Sequence, residues 1–403
     1  MYRLDLPSLH DHHSHVSLYA ALGGLPDVSA LPPEEALACL AAQPRDRLSL
    51  VKGWRSDRLS FSDEDIEGLP PLIVINFSLH GFVMTKAAIP HVEAAWPELA
   101  RNYRDVQWTE GRLPELFEFY GVSAGLDAAK LDAFMRGLGD LGIGSVEDMA
   151  SIGEVALAVI AASPWRDRVT SWASPSCYAK LPAGARKQVE GFKLFLDGSI
   201  GARSAAIEPA FLDGGEGRLL YDDAGLEELV SGLAAEGKAL AVHAIGQRAI
   251  RQILDVLERC SANSLSFPGI RLEHVQFIGQ EEAFRARNLG ACLSMQPNFN
   301  SDSVDYADRL PRRLLAANNP FRMLIDKAGF MPGRDLIFGS DGMPHGAEYA
   351  LAWSLFPACD GQKLSVEEFI AGYSPGDGRP GSGACLEVDE ENHRVRQLRC
   401  SRA

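Results

Sequence analysis

ALAVHAIGQRAIRQILDVLERC (239–260) joins a short apolar run to a segment whose apolar residues recur every three or four positions. The first half reads as a buried strand and the second as a helix lying on a sheet. The same alternation extends outward in both directions. Strand candidates follow at IRLEHVQF (270–277), GACLSMQP (290–297) and DLIFGSDG (335–342), and precede it at GFKLFLDG (191–198), DRVTSWAS (167–174) and GIGSVEDM (142–149). A further amphipathic stretch, AGLEELVSGLAAEG (224–237), lies between two of them. With LPSLHDHHSH (6–15) as the first strand the repeats number eight, the count that closes a barrel. The expected class is α/β, a distorted (β/α)8 TIM barrel filling residues 1–370, with 371–403 as an irregular linker and short C-terminal strands.

Residues 16 to about 140 are too long for a βα connection, which takes about 2–6 residues outside its helix. They contain a strand-like run, PLIVINFSLHGF (71–82), and a helical one, AAKLDAFMRGLGDLG (128–142). The segment reads as a long insertion after strand 1, folded over the barrel mouth. GYSPGDGRPGSGA (372–384) reads as unstructured, and CLEVDEENHRVRQLRC (385–400) as two short strands around a polar turn.

The 403 residues carry a net charge of −15 with no lysine/arginine block. That field repels phosphate backbones, so no nucleic-acid partner is expected. No apolar run approaches the ~20 residues that span a bilayer, and the N-terminus lacks the apolar run of roughly 7–15 residues of a signal peptide. Seven scattered cysteines without a CxxC pattern read as reduced thiols. The expectation is a cytoplasmic protein with a small-molecule substrate and no membrane partner.

Barrel enzymes place their working groups at the C-terminal strand ends. Those ends hold His13, His15, Lys193, His243, His274 and Asp341. Ionisable groups on barrel strands are costly to bury unless paired or bound to metal. His13 and His15 are two apart, so on a strand both side chains project from the same face. Asp11 shares that face and could orient an imidazole as a supporting carboxylate, whereas His10 and His12 take the opposite face. Burial lowers the pKa of a lysine, and a neutral Lys193 could react with CO₂ to give an anionic carbamate that bridges two ions. Two ions roughly 3.5–4 Å apart would activate a water and polarise a carbonyl, with Asp341 as the proton-transferring base.

The set Asp11-x-His13-x-His15, Lys193, His243, His274, Asp341 resembles the amidohydrolase superfamily of metal-dependent hydrolases. KLFLDGSIGARSAAI (193–207), VHAIGQRAI (242–250), RLEHVQF (271–277), SMQPNF (294–299) and FGSDGMP (338–344) are similar to the branch containing N-substituted formamide deformylases, the amidohydrolase family 3 type. The likeness covers roughly residues 5–350, and six positions must agree in order. NFSLHGFVMTKAAI (76–89) looks like that branch's insertion, which puts His80 near the substrate, although taken singly His80 reads equally as a surface histidine of the insertion. PSLHDHHSH (7–15) matches the family's first strand with His13 and His15 in the ligand positions. His10 and His12 are then bystanders, whose replacement by Ala is expected to leave the site intact. The resemblance implies a divalent metal, zinc foremost, as one or two ions, a carboxylated Lys193, and hydroxide activated by metal with Asp341 as base.

Three departures stand out. The barrel begins almost at Met1, so the family's β-sandwich is reduced or absent, which would leave barrel surface for a second copy to cover. Gln247 replaces the usual Asp, and GYSPGDGRPGSG replaces a threonine-containing helix.

Blander readings compete for single residues. Lys193 could pair with Asp197 or Asp341. Arg203 could meet a substrate carboxylate or an acidic neighbour such as Glu208. Gln296 could bind substrate or only solvent, and His91, His345 and His393 read as surface residues. The leading function is hydrolysis of a C–N bond of amide or formamide type. The alternatives are an ester or lactone hydrolase with the same centre, or a non-catalytic ligand-binding barrel.

Overall fold

The computed structural model describes residues 1–55, 59–77, 79–374 and 383–398. Eight strands form one parallel sheet: Leu9–Ser14, Ile143–Asp148, Val169–Ala173, Val189–Phe195, Ala239–Ala244, Ile270–His274, Cys292–Met295 and Leu336–Phe338. Each strand pairs with the next in sequence. The eighth returns to the first at its C-terminal end, where Asp341 N donates to His13 O at 2.7 Å. Gly339 makes that approach feasible, because a Cβ there would lie 2.3 Å from His13 N. All eight strands coincide with segments expected from the apolar alternation. The helix Gln247–Ala262 lays Ile250, Ile253, Leu254 and Leu257 on the sheet, the 3.6-residue stripe that burial against strands requires.

The first strand is not regular. Asp11 pairs with Val146 but Ser14 with Asp148, so three steps on one strand oppose two on the other. Such a β-bulge re-aims side chains. The alternation that would place His10 and His12 opposite His13 and His15 is broken, and both pairs enter the barrel. The proof is in contacts that only the interior permits. His12 meets Glu147 on the second strand, while His13 meets Glu273 on the sixth.

The insertion carries its own sheet, in which Leu72–Asn76 lies between Ser49–Trp54 and Phe82–Met84. A separate apolar cluster of Val28, Leu40, Val51, Leu72 and Val74 packs it. Helix Leu113–Ala124 faces the mouth, with Phe117 set edge-on to His15 at 5.1 Å between ring centroids.

A strand at Tyr2–Asp5, which the sequence reading did not anticipate, pairs antiparallel with Cys385–Asp389, itself paired with Arg394–Leu398. Four mostly exposed residues give no periodicity of their own. Their partner is supplied by the far end of the chain, and the three strands form a small sheet of their own beside the barrel sheet. Most of the stretch read as unstructured, residues 375–382, lies outside the described residues, as does Cys400. The six described cysteines are free thiols. Among the described residues no helix is long and apolar enough to cross a membrane.

Candidate metal centre

Six strand-end side chains converge at the barrel mouth. His13, His15 and Asp341 each offer one ligand atom, and these atoms lie within 4.8 Å of one another. Asp341 Oδ1 is 3.4 Å from His15 Nε2 and 3.7 Å from His13 Nε2. The His274 ring sits between those of His13 and His243, at 4.6 and 4.5 Å. Lys193 is fully buried, with Nζ 3.3 Å from His13 Nε2. No ion pair holds it among the described residues, so neither Asp197 nor Asp341 is its salt-bridge partner. Its Nζ lies instead over the Phe195 ring at 5.0 Å.

Outer partners fix which nitrogen faces inward in three of the four rings. His13 Nδ1 donates to Glu273 Oε2 at 2.6 Å, and His274 Nδ1 donates to Gln296 Oε1 at 2.7 Å. The Nε2 lone pairs of both rings thereby face inward, that of His13 toward Lys193 Nζ. His243 is turned the other way, with Nε2 3.2 Å from Gly198 O and 3.4 Å from Asp197 Oδ1, which leaves Nδ1. Asp197 is itself held by the backbone amides of Ala206, Ile245 and Gly246. This donor set, three imidazoles with an inward nitrogen spare and a half-buried carboxylate beside a fourth, fits a borderline divalent cation such as Zn²⁺.

Backbone geometry contributes as well. His274, Val275 and Asp341 have φ of 69°, 39° and 55°, a left-handed region that residues with a Cβ rarely adopt. At the sixth strand this turns His274 into the mouth directly after Glu273. At the eighth, Asp341 is pinned by its own N–H on His13 O and by Tyr19 Oη, which donates to Asp341 O at 3.1 Å.

Electrostatics follow from burial. Burial pushes the Lys193 ammonium down to about 8, against the opposing pull of Glu273 and Asp341. Burial also holds His13, His243 and His274 below the ordinary imidazole value. For Asp341 burial acts upward, but His15, His13 and His274 outweigh it and keep the carboxyl well below the usual range.

Several expected roles change. Asp11 does not orient an imidazole. Its carboxylate accepts from His13 N, Ser340 N and Ser340 Oγ, and so straps the eighth strand to the first. The carboxylate on the His13 ring is Glu273, whose one signal was an acid inside the apolar run IRLEH (270–274). Gln296 is fully buried and serves His274. Arg203 is half-exposed on a loop and pairs with Asp213 at 3.0 Å, while Glu208 is bound by Arg251. His345 is half-buried rather than fully at the surface: it meets Ser14 Oγ at 2.8 Å, facing Tyr19 and Phe134. His80 reaches the mouth from the insertion, 6.3 Å from His243 between ring centroids, with Nδ1 3.1 Å from Glu110 Oε2. Ser204 Oγ donates to the other oxygen of Glu110 at 3.0 Å. Gln247 stays outside the centre, accepting from Glu208 N.

The amidohydrolase family's sequence profile matches residues 4–355 of this chain. The chain is 24% identical over 373 residues to the Bacillus subtilis protein YtcJ, named as an amidohydrolase, covering 80% of this chain and 68% of that one. A solved metal-dependent hydrolase from Pyrococcus horikoshii superposes with a TM-score of 0.68 at 21% identity, over 96% of this chain and 87% of that one. One from Pyrococcus furiosus gives 0.66 at 20%, over 98% and 86%. The profile spans most of the sequence, and the chain belongs to the amidohydrolase family.

Proposed function

We propose that this member of the amidohydrolase family is a metal-dependent hydrolase that cleaves a C–N bond of amide or formamide type in a small molecule. The observation that carries this reading is the convergence of His13, His15, Lys193, His243, His274 and Asp341, with outer partners that turn a free nitrogen of three rings inward.

A bound divalent ion supplies Lewis-acid polarisation of the substrate carbonyl and lowers the pKa of a water. His13 and His274 would hold it through Nε2 and His243 through Nδ1, with His15 and Asp341 completing the set. Asp341 is ionised and aimed into the mouth, so it can accept a proton from the attacking water and return it to the leaving nitrogen. Lys193, with its amine pulled to about 8 by burial, holds a neutral fraction able to attack CO₂. The amine lone pair forms the N–C bond as one π pair of CO₂ moves to oxygen, an N–H proton of the adduct leaves to solvent, and the resulting carbamate would be an anionic metal ligand. Phe117 and the His80–Glu110 pair bring the insertion against the mouth, where His80 would contact the substrate and the ring of Phe117 would exclude water.

Attack on a carbonyl does not itself select the leaving atom, so the test is a substrate panel. Protein loaded with Zn²⁺ or Mn²⁺ is assayed on N-formyl amines, N-acyl amides and lactones. Turnover of the first two above the third is expected, and the reverse order would make the protein an ester or lactone hydrolase. Far less than one metal equivalent, with no hydrolysis restored by added metal, would sink the reading. A metal-loaded protein inert across the panel but thermally shifted by a small ligand would be a binding barrel.

A further inference from the structure

Below the mouth, the bulge in the first strand gathers a second donor set. His10 Nε2 lies 3.4 Å and His12 Nδ1 3.1 Å from Glu147 Oε1. One ligand atom from each of these three residues falls within 4.8 Å of the others. The two imidazoles are about 13% exposed and Glu147 about 9%. The cluster therefore sits in the barrel floor with an edge open to water.

The outer contacts of this cluster discriminate between a hydrogen-bonded knot and a cation site. Ligating imidazoles characteristically donate their remote N–H to an oxygen, and ligating carboxylates are themselves hydrogen-bonded. His10 Nδ1 has Ser145 Oγ at 2.6 Å, and His12 Nε2 has the carbonyl oxygen of Ser374 at 3.4 Å. Glu147 Oε2 accepts from Trp172 Nε1 and Arg271 Nη1, each at 2.6 Å. Every remote atom has its partner, and every near atom points to one place. As a hydrogen-bonded knot the set is mismatched at His12. A neutral imidazole has one N–H, yet both its ring nitrogens face oxygens that can only accept. The other oxygen of Glu147 is held by one guanidinium, Arg271, which it shares with Glu273.

We infer that His10, His12 and Glu147 form a second cation site, for a divalent first-row ion of the zinc type, separate from the centre at the mouth. Two imidazole nitrogens, one carboxylate oxygen and a water from the open edge would make the four-coordinate set such an ion takes. The site is linked to the mouth by Glu147, Arg271 and Glu273, the last of which holds His13.

Crystals of the wild-type chain equilibrated with Zn²⁺ and measured across the zinc edge test this directly. An anomalous peak bounded by His10 Nε2, His12 Nδ1 and Glu147 Oε1 is expected. In solution, His12→Gln should bind one Zn²⁺ equivalent fewer than wild type, with thermal unfolding confirming that the variant is folded. An unchanged equivalent count in a folded variant overturns the inference. So does a wild-type map with peaks at the mouth alone, even if the variant fails to fold. A floor peak without a mouth peak would uphold this site while counting against the proposed function.

Discussion

Glu273 Oε2 accepts from His13 Nδ1 at 2.6 Å across the barrel, joining residues 260 positions apart. The acid therefore stands next to one candidate ligand, His274, while it fixes the ring of another. Arg271 and His13 outweigh the upward push of burial and hold its carboxyl down at about 2.

Glu273→Gln keeps an oxygen for His13 Nδ1–H but removes the charge that makes the imidazole a better donor. Loss of such outer partners typically lowers metal affinity about 10- to 100-fold. A chelator competition titration should place the variant in that range. Affinity equal to wild type would show that the contact is only structural.

Asp341→Asn should retain metal through the imidazoles while kcat falls by about 10²- to 10⁴-fold, the usual worth of a general acid–base group. Metal analysis run beside the assay separates this from ligand loss. Coincident loss of metal and activity would make Asp341 a ligand first.

Lys193 predicts a pH dependence for the metal-free protein. Its folded pKa of about 8 lies below the unfolded 10.5, so between these values the unfolded chain binds more protons. Stability then rises with pH across that window: this contribution is complete above about 10.5 and lost as pH falls through about 8. The full swing is about 3 kcal/mol. Urea unfolding at the two pH limits should show this slope in wild type and not in Lys193→Met. Equal slopes would place the amine outside the buried environment.

Gly339→Ala drives a Cβ to within 2.3 Å of His13 N and 2.8 Å of His13 Cα, where the opposing atoms are backbone. Overpacking of this kind costs about 1–3 kcal/mol. Here it also pries apart the seam that carries His13 and Asp341. Reduced stability in denaturant with weaker metal binding is expected, and a neutral result would mean that the seam is free to slide.

The eight strands were legible because buried parallel strands are continuous apolar runs, and helices on a sheet show a 3.6-residue period. The six mouth residues were legible because ionisable side chains at the ends of such runs are conspicuous. Tyr2–Asp5 was not, since a short exposed strand draws its identity from a partner at Cys385–Asp389.

By itself, then, the sequence determined the order of strands and which ionisable groups stand at their ends, because both are properties of local composition and period. Only the tertiary structure decided how those groups pair. Strand parity sets His10 and His12 on the face away from His13, but parity assumes equal steps on both strands. The extra residue between Asp11 and Ser14 is defined only against Val146 and Asp148. It turns both histidine pairs into the barrel and gives Asp11 to Ser340, leaving Glu273 as the carboxylate on His13. Register is a relation between two segments, and no single stretch contains it.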